Sequence, residues 1–131
     1  MPIVEVFLRR GRTPEQIQAL TEALHDALVD TYDVPRGDRF QIVRQCEPYE
    51  LIFDSDFMGG PRTENFVLVR ITAGRPRPPH KKRDLFAAIA ANLQSRARVD
   101  PADVLIVTDH VGLTGLSLSG GRPYDLEMSR R

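Results

Sequence analysis

The sequence lacks the features that mark several large classes of protein. It contains one cysteine and no tryptophan, and its 18 basic residues are matched by 18 acidic residues. One cysteine excludes an internal disulfide and a zinc site built from several thiolates. A formal net charge of zero argues against a protein that coats nucleic acid or an anionic membrane, because such proteins carry a surplus of basic residues.

Long apolar runs and common cofactor motifs are absent as well. No stretch approaches the roughly 18 apolar residues of a membrane-spanning helix, and no Gly-rich phosphate loop, CxxC pair or HExxH motif occurs. Residues 1–6 show no basic segment followed by an apolar one, so we expect no secretory signal and a cytoplasmic protein. The chain of 131 residues, 41% of them hydrophobic, suits one globular domain.

The first half of the chain predicts a strand, a helix and a second strand. Residues 3–8 form a β-branched run typical of a strand. Thr13 is placed as the N-cap of a helix, with Gln16 completing a capping box. Apolar residues then recur at helical spacing until Pro35 ends the helix, and residues 40–43 predict the next strand.

The same order recurs about 65 residues later. Residues 66–72 and 104–107 are strand candidates, and an amphipathic helix lies between them. We therefore predict an α+β fold in which two βαβ units form a four-stranded mixed sheet with both helices on one face. Right-handed crossovers make the two strands within each unit parallel.

These units would form one domain, residues 1–131, with a pseudo-repeat of roughly 1–46 and 65–110 followed by a tail, 111–131. Alternating apolar residues at 113–118 predict a hairpin or edge strand within that tail. The sheet face that carries no helices must also pack against another surface. We expect copies of the chain to supply it in a closed homo-oligomer.

Pro2, directly after the initiator methionine, is the most distinctive candidate for chemistry. Inside a chain its nitrogen is an amide, but removal of Met1 would leave a secondary amine that can act as an acid or a base. A cation about 5 Å away, at an effective dielectric constant of about 20, would disfavour the protonated amine by about 3 kcal/mol. Neighbouring arginines would therefore keep Pro2 neutral, whereas a neighbouring aspartate would keep it protonated. Taken alone, Pro2 is more often a plain terminus.

Several short segments, in this order, resemble the tautomerase superfamily. They are Pro2 before the first strand, Gly11-Arg12-Thr13, residues 34–43, residues 59–63, and Arg75-Pro76-Arg77. The resemblance covers nearly the whole chain and is closest to the malonate semialdehyde decarboxylase branch. It implies a trimer of β-α-β units with a catalytic amino-terminal proline and no metal or organic cofactor.

The resemblance also implies roles for individual residues. Pro2 would be the catalytic amine, and Asp38 would hydrogen-bond near it and support a water molecule or the substrate. Arg75 and Arg77 would hold the substrate carboxylate. Arg75 is the firmer match of the two, because the spacing from Thr63 departs by one residue from the family pattern.

Other residues near these segments receive plainer interpretations. Leu116 and Leu118 stand where the resemblance implies an aromatic wall, so they would contact the substrate in its place. The basic run at 80–83 is typical of a solvated helix turn or an oligomer rim, and Asp109 with His110 would lie just past a strand end, where they could line a pocket.

The expected function is that of a cofactor-independent homotrimeric enzyme acting on a small oxo acid. Decarboxylation of a β-oxo acid such as malonate semialdehyde would use a protonated Pro2 to stabilise charge on the carbonyl oxygen. The alternative is keto–enol tautomerisation or hydration of a 2-oxo acid such as phenylpyruvate, with a neutral Pro2 as the base. Asp38 favours the first and the arginines favour the second.

A further alternative is a non-catalytic trimeric binding module. The βαββαβ order also suits RNA-binding domains, but the strand candidates at 3–8 and 66–72 lack the basic and aromatic cluster that stacks bases. We therefore expect neither nucleic acid nor a membrane as a partner.

Overall fold

The computed structural model describes residues 2–124. The expected removal of Met1 and the end of the predicted tail, 125–131, lie outside the described residues. The regular elements follow one another as β1 Pro2–Arg9, α1 Pro14–Thr31, β2 Gln41–Cys46, β3 Val67–Ala73, α2 Pro79–Ala97 and β4 Val104–His110.

The four strands form one mixed sheet in the order β2-β1-β3-β4. β1 is parallel to β2, β3 is parallel to β4, and the two central strands β1 and β3 are antiparallel. Each parallel pair is joined through a helix, as a βαβ crossover requires. This confirms the predicted fold class.

The core lies between one face of the sheet and the two helices. Alternate residues of the central strands face it, because side chains along a strand alternate between faces. The helices contribute residues three or four positions apart, which lie on one side of a helix. The largest fully buried side chains of this core include Val4, Val6, Leu8, Ile71, Leu20, Leu24, Leu28, Leu85, Ile89 and Leu93.

The predicted start of α1 is confirmed in detail. The Gln16 backbone N–H donates to Thr13 Oγ1 at 3.2 Å, and the Thr13 N–H donates to Gln16 Oε1 at 2.8 Å. β2, predicted at 40–43, extends instead to Cys46. The Arg10 N–H donates to the Cys46 carbonyl at 3.0 Å, so pairing with β1 carries β2 beyond its apolar part.

The hairpin or edge strand predicted at 113–118 is not formed within the described residues. Leu113–Gly115 is instead a 3-10 turn, and the Leu116 N–H donates to the Leu113 carbonyl at 3.3 Å. Gly112, with a φ of 79°, turns the chain out of the direction of β4. The alternating segment therefore has no neighbouring strand to pair with in the described part of this chain.

An ion-pair network fixes the loop between α1 and β2. The Arg36 guanidinium contacts Asp26 Oδ1, and Arg96 Nη1 lies 2.5 Å from Asp26 Oδ2. Asp26 thus joins this loop to both helices. The hydrogen bond from Arg36 and then that from Arg96 hold the pKa of Asp26 below its ordinary value of 3.8.

We predict a pH-dependent loss of stability for Asp26→Asn. The ionised carboxylate is favoured in the folded state, so its contribution is present above the unfolded-state pKa and is lost as the pH falls through the lower folded-state pKa. Near neutral pH the variant should lose about 0.5–1 kcal/mol in free energy of unfolding, because both arginines are substantially exposed. Urea unfolding at several pH values measures this difference in free energy of unfolding, with Asp30→Asn as the control. A deficit that stays constant below pH 3.8 would contradict the assignment.

Candidate active site

Three strand ends meet where β1 begins. The register pairs Pro2 with Ala73, the last residue of β3, and pairs Ala73 with His110, the last residue of β4. These three residues form one row across the sheet, on the face that the helices cover. Because neighbouring strands lie about 4.8 Å apart, the backbones of Pro2 and His110 are about 10 Å apart, with the backbone of Ala73 between them.

Asp38 reaches the same end of the sheet from the β2 side. Val4 pairs with Gln41, and the Val4 N–H donates to the Phe40 carbonyl at 2.9 Å, so the segment before β2 runs beside the first residues of β1. Asp38 lies just ahead of that segment, and its Oδ1 is inaccessible to solvent. The predicted role of Asp38, to favour the protonated form of an amine at the start of β1, stays a prediction.

The loop that carries Asp38 is anchored from α1. His25 is 3% exposed, and its Nε2 donates to the Arg36 carbonyl at 2.7 Å. The Asp38 N–H closes a turn onto the Pro35 carbonyl at 3.0 Å. Together with the Asp26 network, these bonds fix the backbone on which Asp38 stands.

Arg77 is held inside the protein by contacts to the backbone. It is 9% exposed, and its Nη2 and Nη1 donate to the carbonyls of Tyr32 and Arg75, each at 3.0 Å. Its guanidinium carbon also lies 4.5 Å from the centre of the Tyr32 ring. Burial, and then the charge of Arg75, lower the pKa of Arg77. Arg77 therefore stabilises the turn after β3.

Arg75 is exposed in the same turn, beside a cavity of about 220 Å³. The residues around this cavity include Tyr32, Ala73, Arg75, Arg77, Lys82 and His110. The cavity thus opens against Ala73, the residue that separates Pro2 from His110 in the row. An anion entering it would meet the exposed guanidinium of Arg75.

Leu116 and Leu118 are not brought to this cavity. Leu116 is half-buried, and its carbonyl accepts a hydrogen bond from the Tyr124 N–H at 2.8 Å. Leu118 is exposed. Neither residue lines the cavity beside Arg75 within one chain, so their contact with substrate stays a prediction.

The sequence interpretation missed Lys82, which was grouped with a solvated basic run. Lys81 Nζ lies 2.5 Å from Asp33 Oδ2, whereas Lys82 lines the cavity. The only sequence signal is helical geometry, since consecutive residues project about 100° apart. His110 and Asp109 do line the cavity as predicted, but they are the last two residues of β4, which extends beyond its predicted end at Val107.

A larger cavity of about 810 Å³ lies at the opposite end of β1. It is bordered by Arg9, Arg10 and Arg12, about 23 Å along the strand from Pro2. The Arg10 Nε donates to Glu47 at 2.6 Å, and Arg12 Nη2 donates to the Asn65 carbonyl at 2.8 Å. This cavity holds none of the predicted site residues. The smaller cavity is bordered by Arg75, Arg77 and Ala73, the neighbour of Pro2 in the sheet, but not by Pro2 or Asp38 themselves. The candidate active site is therefore the smaller cavity together with the adjoining start of β1.

None of the helices within residues 2–124 is long and apolar enough to cross a membrane. The same residues contain no group of three or more His, Cys, Asp or Glu side chains placed to hold a metal ion.

Comparisons with known proteins agree on one family. Two family models, both described as tautomerase enzyme, match residues 2–58 and 38–114. The protein named "Probable tautomerase YusQ" of Bacillus subtilis (strain 168) is 31% identical over 82% of this chain and 84% of its own length.

Two solved structures extend the comparison to the fold. A crystal structure of malonate semialdehyde decarboxylase, presented as a basis for decarboxylase and hydratase activities, superposes with a TM-score of 0.91. It is 29% identical and covers 97% of this chain and 98% of its own. A fused 4-OT described as a symmetric trimer, 21% identical, has a TM-score of 0.79 over 94% of this chain and 96% of its own, and shows the shared fold.

The sequence matches span both βαβ units, and the structural match to malonate semialdehyde decarboxylase spans nearly the whole chain. The chain belongs to the tautomerase superfamily of enzymes, in its malonate semialdehyde decarboxylase-like branch.

Proposed function

We propose that this protein is a cofactor-independent enzyme that decarboxylates a small β-oxo acid such as malonate semialdehyde, with the Pro2 nitrogen as its acid. One observation carries the proposal. The cavity bordered by Arg75 opens against Ala73, and Ala73 is paired with Pro2 in the sheet. A carboxylate held by Arg75 would therefore lie beside the strand end that carries the amine.

Decarboxylation leaves an electron pair that must be accommodated. As the bond between the carboxylate carbon and the α-carbon breaks, its electrons form the double bond of an enolate and negative charge grows on the former carbonyl oxygen. A protonated Pro2 would donate a hydrogen bond to that oxygen, or form an iminium with the carbonyl carbon. Carbon dioxide leaves, and the α-carbon takes up a proton to give acetaldehyde.

Asp38 and Arg75 would have separate tasks in this reaction. The Asp38 carboxylate favours the protonated amine that the reaction needs. Arg75 would orient the substrate carboxylate, whose charge is lost in the transition state. Binding that group too tightly would stabilise the ground state more than the transition state and would not accelerate the reaction. Arg75 is exposed, so its ion pair with substrate is weakened by solvent.

A specific observation favours tautomerisation of a 2-oxo acid as the second candidate. Arg75, Arg77 and Lys82 all border the cavity, and such cations favour a neutral amine. A neutral Pro2 would abstract a proton from the carbon next to the carbonyl and return it to oxygen or carbon. A nitrogen-15 NMR titration of the Pro2 amine distinguishes the candidates, because a pKa well above neutrality supports decarboxylation and one clearly below supports tautomerisation.

We expect Pro2→Ala to lower kcat for decarboxylation by about 10²- to 10⁴-fold, the range of a lost acid–base group. Intact-mass measurement must first show that Met1 is absent from both proteins. Pro101→Ala, at the far end of the sheet, is the control and should retain activity. Full activity of Pro2→Ala would overturn the proposed function.

Arg75→Gln should mainly lower catalytic activity, whereas Arg77→Gln should mainly lower the stability of the fold. Loss of the exposed Arg75 should lower kcat/KM by roughly 2- to 5-fold and leave the free energy of unfolding within about 0.5 kcal/mol of wild type. Loss of the buried Arg77 should lower the free energy of unfolding by about 1–3 kcal/mol, because two backbone carbonyls lose their donors. Arg83→Gln, an exposed change on α2, serves as the control. Equal stability losses for Arg75→Gln and Arg77→Gln would contradict the assignment.

We also propose that the enzyme is a homotrimer. The sheet face away from the helices carries Ile42, Leu105 and Val107, which are 43%, 37% and 45% exposed. Across this face Glu5 pairs with Ile42 and with Arg70, and Arg70 pairs with Val107, so apolar residues flank two charged ones. The fused 4-OT with the same fold is described as a trimer.

Sedimentation equilibrium should give three times the 14.8 kDa chain mass. Val107→Glu should shift the protein toward monomer, because a buried unpaired carboxylate destabilises an interface. Glu22→Gln on α1 is the control. A monomeric wild-type protein would refute the trimer.

A further inference from the structure

The cavity beside Arg75 carries more positive charge than one substrate carboxylate requires. Arg75, Arg77 and Lys82 all border it. Arg77 donates to two backbone carbonyls and lies over the Tyr32 ring. A monocarboxylic acid bound to Arg75 would therefore leave Lys82 as a second cation without an anion from the substrate.

Nearby carboxylates do not neutralise Lys82 within the described structure. Asp33 is engaged by the preceding residue, Lys81, at 2.5 Å. The first turn of α2 contains no acidic residue. Asp109 also borders the cavity, but strand alternation places its side chain on the sheet face opposite that of His110. Across residues 2–124, neither Lys82 nor Arg75 forms an ion pair.

Lys82 lies at the cavity wall and is half-buried, as Lys81 is, whereas Arg83 at the next position of α2 is exposed. A half-buried ammonium group gains more from an anion than a fully solvated one, because less water screens the pair. The cavity volume of about 220 Å³ is smaller than that of pockets that hold drug-sized ligands, which suits a small acid.

We infer that Lys82 binds a second carboxylate of the substrate, so that this enzyme prefers a small oxo dicarboxylic acid to the corresponding monoacid. The inference rests on the proposed function for the position of the reacting carboxylate at Arg75. Lys82 is then a specificity-determining residue, since the carboxylate that it holds does not react.

Two β-oxo acids that break the same bond test the preference. Malonate semialdehyde and oxaloacetate both lose the carboxylate next to the α-carbon as carbon dioxide. Their enolates take up a proton to give acetaldehyde and pyruvate. Oxaloacetate differs in carrying a carboxylate in place of the aldehyde hydrogen. Rates are measured with a chelator present and corrected for enzyme-free decarboxylation.

The wild-type enzyme should show a kcat/KM for oxaloacetate at least about tenfold above that for malonate semialdehyde. Lys82→Gln should lower kcat/KM for oxaloacetate by about 10- to 100-fold, the usual effect of one charge-assisted hydrogen bond, and change the semialdehyde value by less than about twofold. Lys81→Gln is the matched control, because Lys81 is bound to Asp33 outside the cavity, and it should change neither value by more than about twofold.

Different results would overturn the inference about Lys82 and the proposed function. An equal loss on both substrates, no loss on either, or a wild-type preference for the semialdehyde would overturn the inference. If the protein with a free Pro2 amine turns over neither acid, the proposed function fails. In that case, calorimetric titration with succinate and propionate tests the binding role of Lys82 independently of the proposed reaction. Tighter binding of succinate that Lys82→Gln abolishes supports it, and equal affinities overturn it.

Discussion

The antiparallel pairing of β1 with β3 is the constraint on which the site depends. Val4 and Val6 on β1 and Val69 and Ile71 on β3 are all buried on one face, and a slip of one residue would turn each of them to the other face. The core therefore fixes the register that sets Pro2 opposite Ala73. β4 follows the register of β3, and the segment before β2 follows that of β1, so one packing requirement brings every part of the site to the same end of the sheet.

Charges of opposite sign approach that end from its two sides. Asp38 comes from the β2 side, on a loop anchored by His25 and Asp26. Arg75 comes from the β3 side, on a turn held by the buried Arg77. The protonation of an amine between them depends on the difference between these two influences. The same scaffold can thus serve acid chemistry or base chemistry according to small changes in either loop.

The sequence predicted the fold because periodicity and capping are local signals, as the capping box of α1 shows. It predicted a strand end for Pro2 and a turn for Arg75 for the same reason. It could not distinguish Lys82 from Lys81, because what a helical side chain meets depends on the packing of α2 against the rest of the chain. The segment 113–118 shows the limit of alternation as a signal, since a strand needs a neighbouring strand with which to pair.

The separation of Arg75 from Lys82 bears on how binding energy can assist decarboxylation. A cation that holds the departing carboxylate loses its partner's charge as the reaction proceeds, so its strongest contact is with the ground state. A cation that holds a second, unreactive carboxylate keeps its full interaction through the transition state and can oppose the entropy lost in orienting the substrate. In the proposed reaction the exposed Arg75 would bind the reacting carboxylate, and the half-buried Lys82, which borders the same cavity, would bind the unreactive one. The weaker interaction would then act where charge disappears and the stronger one where charge persists.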